Sequence, residues 1–128
     1  MRALLDTHAF LWWVLDDPRL SSTCRTFVGD GSNDVLLSAA VAMELSVKAG
    51  NGRLDLPEPI EKFVPNRLAA EGFQGLAIEL RHALRAGILP WIHRDPFDRL
   101  LVAQAQVESL PILTIDPVIA QYEVETIW

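Results

Sequence analysis

Apolar residues in this chain come in short blocks of two kinds, separated by turn-forming clusters. Ala3-Leu4-Leu5, Val35-Leu36-Leu37 and Ile112-Leu113-Thr114-Ile115 are continuous and lack a period of two, the mark of strands buried on both faces of a parallel sheet. The stretches between them carry helical spacing. The pattern predicts strands over 2–5, 35–38, 73–78 and 112–115, with 124–128 as an edge strand. Helices are predicted over 7–16, from Ser21 or Ser22 to Gly29, and over 39–50, 60–71, 80–89 and 96–109, with a short one after Pro117. Pro65 should break or kink the 60–71 segment, leaving a short turn before a helix that starts at the proline. In the 96–109 helix, Phe97, Leu100, Leu101, Ala103 and Val107 form the expected buried stripe. Strands alternating with helices predict a three-layer α/β/α domain with a central, mainly parallel sheet.

The first helix is the odd one. Phe10 to Leu15 leave it almost no polar face, so it must be covered on more than one side. Trp12 and Trp13 point about 100° apart and cannot both meet one core. One of them is expected to contact another chain.

Length and composition narrow the setting. The 128 residues suit one domain, residues 1–128, with one core. The longest apolar runs, 9–15 and 35–43, fall short of the roughly 18 residues a membrane span needs, and Asp6 and His8 interrupt any secretory apolar region. Cys24 is the single cysteine, which rules out an intrachain disulfide and a cysteine-built zinc site. The expected location is cytoplasmic. A net charge of -6 argues against gripping nucleic acid through a generally basic surface. It leaves a nuclease open, because acids gathered round a divalent cation invert the local field.

Four acids stand where such gathering is possible. Asp6 and Asp116 close the first and fourth strands, Asp98 lies at the start of the 96–109 helix, and Glu44 interrupts an otherwise apolar helix. In a parallel α/β sheet, strand carboxyl ends and the following helix starts share the edge where ligands bind. Each acid also has an ordinary structural reading. Asp6 and Asp116 suit helix N-caps, the latter followed by Pro117; Asp98 gains from the helix dipole; Glu44 can pair with Lys48 one turn on. Helix-start chemistry separates Asp95, the natural cap before Pro96, from Asp98, which is left free to face a neighbour. Together, crowded like charges make sense as a site for Mg²⁺ or Mn²⁺.

The order of motifs resembles the PIN-domain ribonucleases, and most closely the VapC-type toxins of bacterial toxin-antitoxin pairs. Leu4-Leu5-Asp6-Thr7-His8-Ala9-Phe10-Leu11-Trp12-Trp13 looks like the family's opening motif, and Ser38-Ala39 through Glu44 to Lys48, then Gly52-Arg53-Leu54, like its second. His93-Arg94-Asp95-Pro96-Phe97-Asp98-Arg99-Leu100-Leu101 resembles the third, and Leu113-Thr114-Ile115-Asp116 the fourth. Met43 departs from the aromatic that often precedes the helix glutamate, a matter of packing. The resemblance implies an acidic quartet of Asp6, Glu44, Asp98 and Asp116. Asp6, Glu44 and Asp98 are expected to rank first as metal ligands, with Asp116 acting through a water because Mg²⁺ usually keeps several. It implies metal-dependent hydrolysis of RNA phosphodiesters to 5′-phosphate and 3′-hydroxyl ends, a homodimer, and inhibition by a small antitoxin.

Around the quartet, Thr7 and Thr114 are candidates to hold carboxylates through their hydroxyls, though a helix start and a strand explain them equally well. His93, Arg94 and Arg99, with Lys48 and Arg53 on another side, are candidates to receive the RNA backbone; solvated surface charge is the alternative. Three rival classes remain in view: a receiver-like phosphoacceptor module, a PIN fold kept only for binding, and a housekeeping PIN nuclease without an antitoxin. The receiver reading lacks an Asp at the end of the third strand, and a haloacid-dehalogenase-type phosphatase would need Asp where His8 stands.

Overall fold

The computed structural model describes residues 1–128. Five short strands make the sheet: β1 (Arg2–Leu5), β2 (Asp34–Ser38), β3 (Gln74–Leu76), β4 (Ile112–Leu113) and β5 (Thr126–Ile127). Their order is β3-β2-β1-β4-β5, and every pairing is parallel. Six helices connect them: α1 (Thr7–Val14), α2 (Ser22–Gly29), α3 (Ala39–Gly50), α4 (Ile60–Glu71), α5 (Leu80–Ile88) and α6 (Pro96–Glu108). Consecutive residues Ala3, Leu4 and Leu5 are all fully buried, as are Ile112 and Leu113. Both faces of the central strands are therefore covered, as the unbroken apolar runs require. The expected three-layer α/β domain is what forms.

The chain leaves β1 toward β2 on one side and later returns to place β4 on the other, so the sheet reverses direction between β1 and β4. At such a point the two outgoing loops diverge and open a crevice at the strand carboxyl ends. Asp6 follows β1 there, and Thr114 to Asp116 follow β4. The ladder persists past the strands, with the Asp6 N–H donating to the Leu113 carbonyl at 3.2 Å.

Helix starts use the caps that local chemistry favours. Asp6, Ser21, Ser38 and Asp95 each accept a backbone N–H in the first turn of α1, α2, α3 and α6, satisfying donors that have no partner within a helix. Ser38 does more than cap. Its hydroxyl also bonds Gln104, whose amide donates to the Ala77 carbonyl at 3.1 Å. Gln104 lies 3.4 Å from Nδ1 of His82, and His82 in turn meets Glu108 at 2.9 Å. Ser38, Gln104 and His82 are fully buried, so this polar thread fixes the relative placement of α3, α5 and α6. Buried polar groups are tolerated because each finds a partner.

Two expectations are corrected. Pro65 neither breaks α4 nor starts it; Ile60–Glu71 is one helix with the proline in its second turn. Pro65 faces solvent while Phe63 and Val64 are buried, and packing of that apolar pair outweighs one missing helix hydrogen bond. The buried face of α6 is Arg99, Leu101, Val102, Ala103, Gln104 and Ala105, with Phe97, Leu100 and Val107 only partly covered. This helix is packed on two sides, by α5 and α3, so a single stripe underestimates its burial. The short helix expected after Pro117 is present as a 3₁₀ helix, Ile119–Gln121.

The tryptophan pair also finds partners inside the chain. Trp13 Nε1 donates to Glu71 at 3.0 Å. Trp12 stacks on His8 with ring centroids 5.3 Å apart and meets the edge of Trp128 at 5.8 Å. The geometric need for a second chain at this helix is thereby removed. No helix is long and apolar enough to cross a membrane.

Replacing Pro65 by Ala restores a backbone donor to the interior of α4. The expected gain is roughly 1–2 kcal/mol, since the helix penalty of proline exceeds the restriction it places on the unfolded chain; urea denaturation measures it, and a loss of stability would contradict the placement.

Candidate metal centre

Asp6 is 5% exposed. One carboxylate oxygen accepts the Ala9 N–H at 2.8 Å, and the other accepts the Thr114 hydroxyl. Burial pushes its pKa up and the nearby Asp116 adds to this, against the lowering effect of its hydrogen bonds and of His8. Thr114 simultaneously accepts the Asp116 N–H at 3.0 Å. One hydroxyl thus joins the acid after β1 to the acid after β4.

Glu44 sits on the second turn of α3 with its side chain 13% exposed. Its two oxygens accept from the Thr7 hydroxyl and from Lys48 Nζ, at 2.8 and 2.9 Å. The Lys48 ion pair read from the sequence is present, but it engages only one oxygen. Thr7, from the first turn of α1, holds the other.

Asp98 projects from the first turn of α6, behind the Asp95 cap. Burial is the largest influence on it, followed by the charges of Asp95, Glu44 and Asp116, and its pKa is pushed up to about 7. His93 opposes this, its Nε2 lying 2.9 Å from Asp98 Oδ2 and 3.8 Å from Asp116 Oδ2. The ligand atoms of His93, Asp98 and Asp116 all fall within 4.8 Å of one another. Asp116 uses its other oxygen to accept the Val118 N–H at 2.8 Å.

All four acids therefore belong to one electrostatic group, since Asp98 feels Glu44 and Asp116, and Asp6 feels Asp116. The grouping differs from the expected ranking. Asp98 and Asp116 form the tight set with His93, while Asp6 and Glu44 flank it. Oxygen donors on helices and strand ends, crowded and buried enough to hold the Asp98 pKa up at about 7, are chemically suited to a small hard cation.

Two sequence candidates behave differently from expectation. Arg99 does not face the cluster, because a helix residue next to Asp98 points about 100° away. It is 5% exposed, donates to the carbonyls of Ala86, Leu89, Pro90 and His93, and lies 4.0 Å from the centre of the Trp91 ring. Both terminal nitrogens are committed within the chain and the side chain is turned away from the cluster. His93, taken as a backbone-binding group, instead bridges two of the acids. Arg94 and Arg53 are exposed. A second cluster, Glu79, His82 and Glu108, has ligand-like proximity, but Arg81 already bonds Glu79 and Glu108 at 3.1 and 2.6 Å. It is a salt-bridged helix cap.

A family model described as PIN domain matches residues 3–125. The chain belongs to the PIN-domain family. Over 69 residues this PIN domain is 36% identical to Ribonuclease VapC16 of Mycobacterium tuberculosis, a stretch of 51% of the chain and 49% of that protein, so it spans about half of the curated relative's length. Solved structures share the fold over nearly the whole chain. VapBC2 from Rickettsia felis, bound to a DNA fragment from its promoter, gives a TM-score of 0.73 at 14% identity, covering 100% of this chain and 99% of that one. DNA-bound VapBC from Salmonella typhimurium gives 0.70 at 15%, covering 99% and 97%, and FitAcB from Neisseria gonorrhoeae 0.65 at 20%, covering 100% and 97%. At these identities the likeness speaks for fold.

The raised pKa of Asp98 has a definite sign. Its folded value of about 7 lies above the ordinary 3.8, so the native PIN domain holds a proton that the unfolded chain has lost. That contribution to stability is full below about pH 4 and is lost as pH rises through about 7. Asp98→Asn should therefore melt higher than the wild type at about pH 8 in chelator, with the advantage disappearing near pH 4. Equal melting temperatures at both pH values would contradict the crowding of acids described above.

Proposed function

We propose that this PIN domain is a metal-dependent endoribonuclease that hydrolyses RNA phosphodiesters to 5′-phosphate and 3′-hydroxyl ends. In this reading it is the cytoplasmic toxin of a toxin-antitoxin pair. The observation that carries the catalytic reading is the convergence of Asp6, Glu44, Asp98 and Asp116 on the crevice between β1 and β4, with Asp98 forced to about 7 by burial and its acidic neighbours.

Asp98 and Asp116 are the residues that would hold Mg²⁺ or Mn²⁺, with Asp6 and Glu44 completing the acidic surround. When bound, such an ion polarises a phosphoryl oxygen and lowers the pKa of a water, supplying a nucleophile that no side chain here provides. The remaining work falls to the protein. Thr7 and Thr114 fix the rotamers of Glu44 and Asp6, and the Asp6 cap prevents its carboxylate from swinging away. Arg94, exposed four residues before Asp98, is placed to meet an RNA phosphate, with Lys48 beside Glu44 as a second cationic contact. Arg99 supports the loop that carries His93 and Arg94 and touches no substrate.

The antitoxin reading is supported by the toxin-antitoxin complexes that share the fold. The net charge of -6 and the acidic crevice suit an inhibitor that brings cationic groups. The homodimer reading has its own support on α5. Leu80, Leu84 and Ile88 lie one above another on its outer face, 77%, 65% and 79% exposed, next to the small residues Ala83 and Gly87. A methyl on Gly87 would meet nothing within 4 Å, so the surface beside this ridge of large aliphatics is open. Packing two such faces about a two-fold axis would cover the exposed aliphatics of both copies. Contiguous apolar exposure of this kind marks an association surface.

Purified protein should cleave RNA with Mg²⁺ or Mn²⁺ and stop in excess EDTA, and Asp6→Ala or Asp98→Ala should lower the rate at least about 100-fold with the far-UV spectrum intact. Cleavage that persists in EDTA, or at full rate in either variant, would sink the mechanism. For the assembly, sedimentation of Leu84→Glu should show monomer where the wild type is dimeric; an unchanged dimer would move the interface elsewhere.

A further inference from the structure

We propose that His93 is a positioning residue for the acid cluster, held as the Nε2–H tautomer so that it donates to Asp98 and leaves the cation site to carboxylate oxygens. The inference rests on the metal-dependent reading above.

The tautomer follows from the partners of the ring. Nδ1 of His93 accepts the backbone N–H of Asp95 at 3.3 Å, and a nitrogen facing a donor cannot carry its own proton. A neutral imidazole must then hold its hydrogen on Nε2, which points at Asp98 Oδ2 from 2.9 Å. A metal-binding histidine has the opposite polarity, donating its remote N–H to an acceptor and offering a lone pair to the ion.

The ring is also held from behind. The backbone N–H of His93 donates to the Tyr122 hydroxyl at 2.8 Å, and its backbone carbonyl accepts from Arg99 Nη1 at 3.4 Å. Asp95 is at once the cap of α6 and the donor that sets the tautomer, so the turn that orients Asp98 orients its partner too. His82 repeats the device where no ion is needed. Its Nδ1 accepts the Glu79 N–H at 3.0 Å, and Nε2 faces Glu108 at 2.9 Å. In both places a helix-start amide makes histidine a fixed donor to a carboxylate. An oxygen-only donor set then favours hard ions such as Mg²⁺ and Mn²⁺ over the nitrogen-seeking late transition metals.

The test uses Mn²⁺ titrated into the full-length protein without RNA, followed by electron paramagnetic resonance. Wild-type protein should bind Mn²⁺ with no directly coordinated nitrogen in the pulsed spectrum. His93→Gln keeps an N–H donor of similar reach and should stay within about threefold of wild-type affinity, while His93→Ala should weaken binding roughly 10-fold or more. A nitrogen coupling that vanishes in His93→Gln would overturn the positioning role and make His93 a ligand. Wild-type affinity in His93→Ala would overturn it as well. Should His93→Ala fail to fold, the wild-type and His93→Gln spectra still decide. Absence of Mn²⁺ binding by the wild type would remove the metal-dependent reading itself, and the role with it.

Discussion

The hydrogen bond from the Thr114 hydroxyl to Asp6 ties together the two strands between which the sheet reverses direction, and the site is arranged around that tie. Without it, a carboxylate buried at the end of β1 would have one oxygen facing neither water nor a donor, a costly state for a polar group. With it, Asp6 caps α1 on one side and engages the β4 loop on the other. The same hydroxyl accepts the Asp116 N–H and so sets where the last acid begins. Position in the sheet, helix capping and acid placement are one constraint here.

The second constraint is electrostatic. Four carboxylates in one crevice repel, and each is partly compensated by a group from its own neighbourhood: Lys48 for Glu44, His93 for Asp98 and Asp116, hydroxyls and amides for Asp6. At Asp98 burial first, and then the acidic neighbours, outweigh that compensation and leave the pKa near neutrality. The fold tolerates that repulsion because the acids stand on helix starts and strand ends whose backbone is fixed by packing deeper in the core. Stability and cation affinity are opposed at this point, as they commonly are where function requires like charges together.

Much of this was legible in the sequence because strand ends and helix starts leave strong local marks. Unbroken apolar runs gave the parallel sheet, and Asp95-Pro96 gave the start of α6 and freed Asp98 from the capping role. The motif order supplied the family. What stayed hidden depended on direction in three dimensions. Arg99 reads as a surface cation beside Asp98, yet a helix turn sends it inward to a set of carbonyls that no sequence pattern advertises. His93 reads as a basic group for RNA, and only the backward turn of the loop before Asp95 brings its ring onto the acids. The Ser38-Gln104-His82 thread joins residues far apart in sequence, with no periodicity to betray it. Pro65 misled because a local penalty was weighed without the tertiary packing that overrides it.

Arg99 also changes how the connection between α5 and α6 should be regarded. Its guanidinium gathers carbonyls from Ala86, Leu89, Pro90 and His93, so the end of α5 and the loop that follows it are tied to a residue in the first turn of α6. The last turn of α5, which carries the exposed Ile88, and the loop that carries His93 are thereby held by one buried side chain.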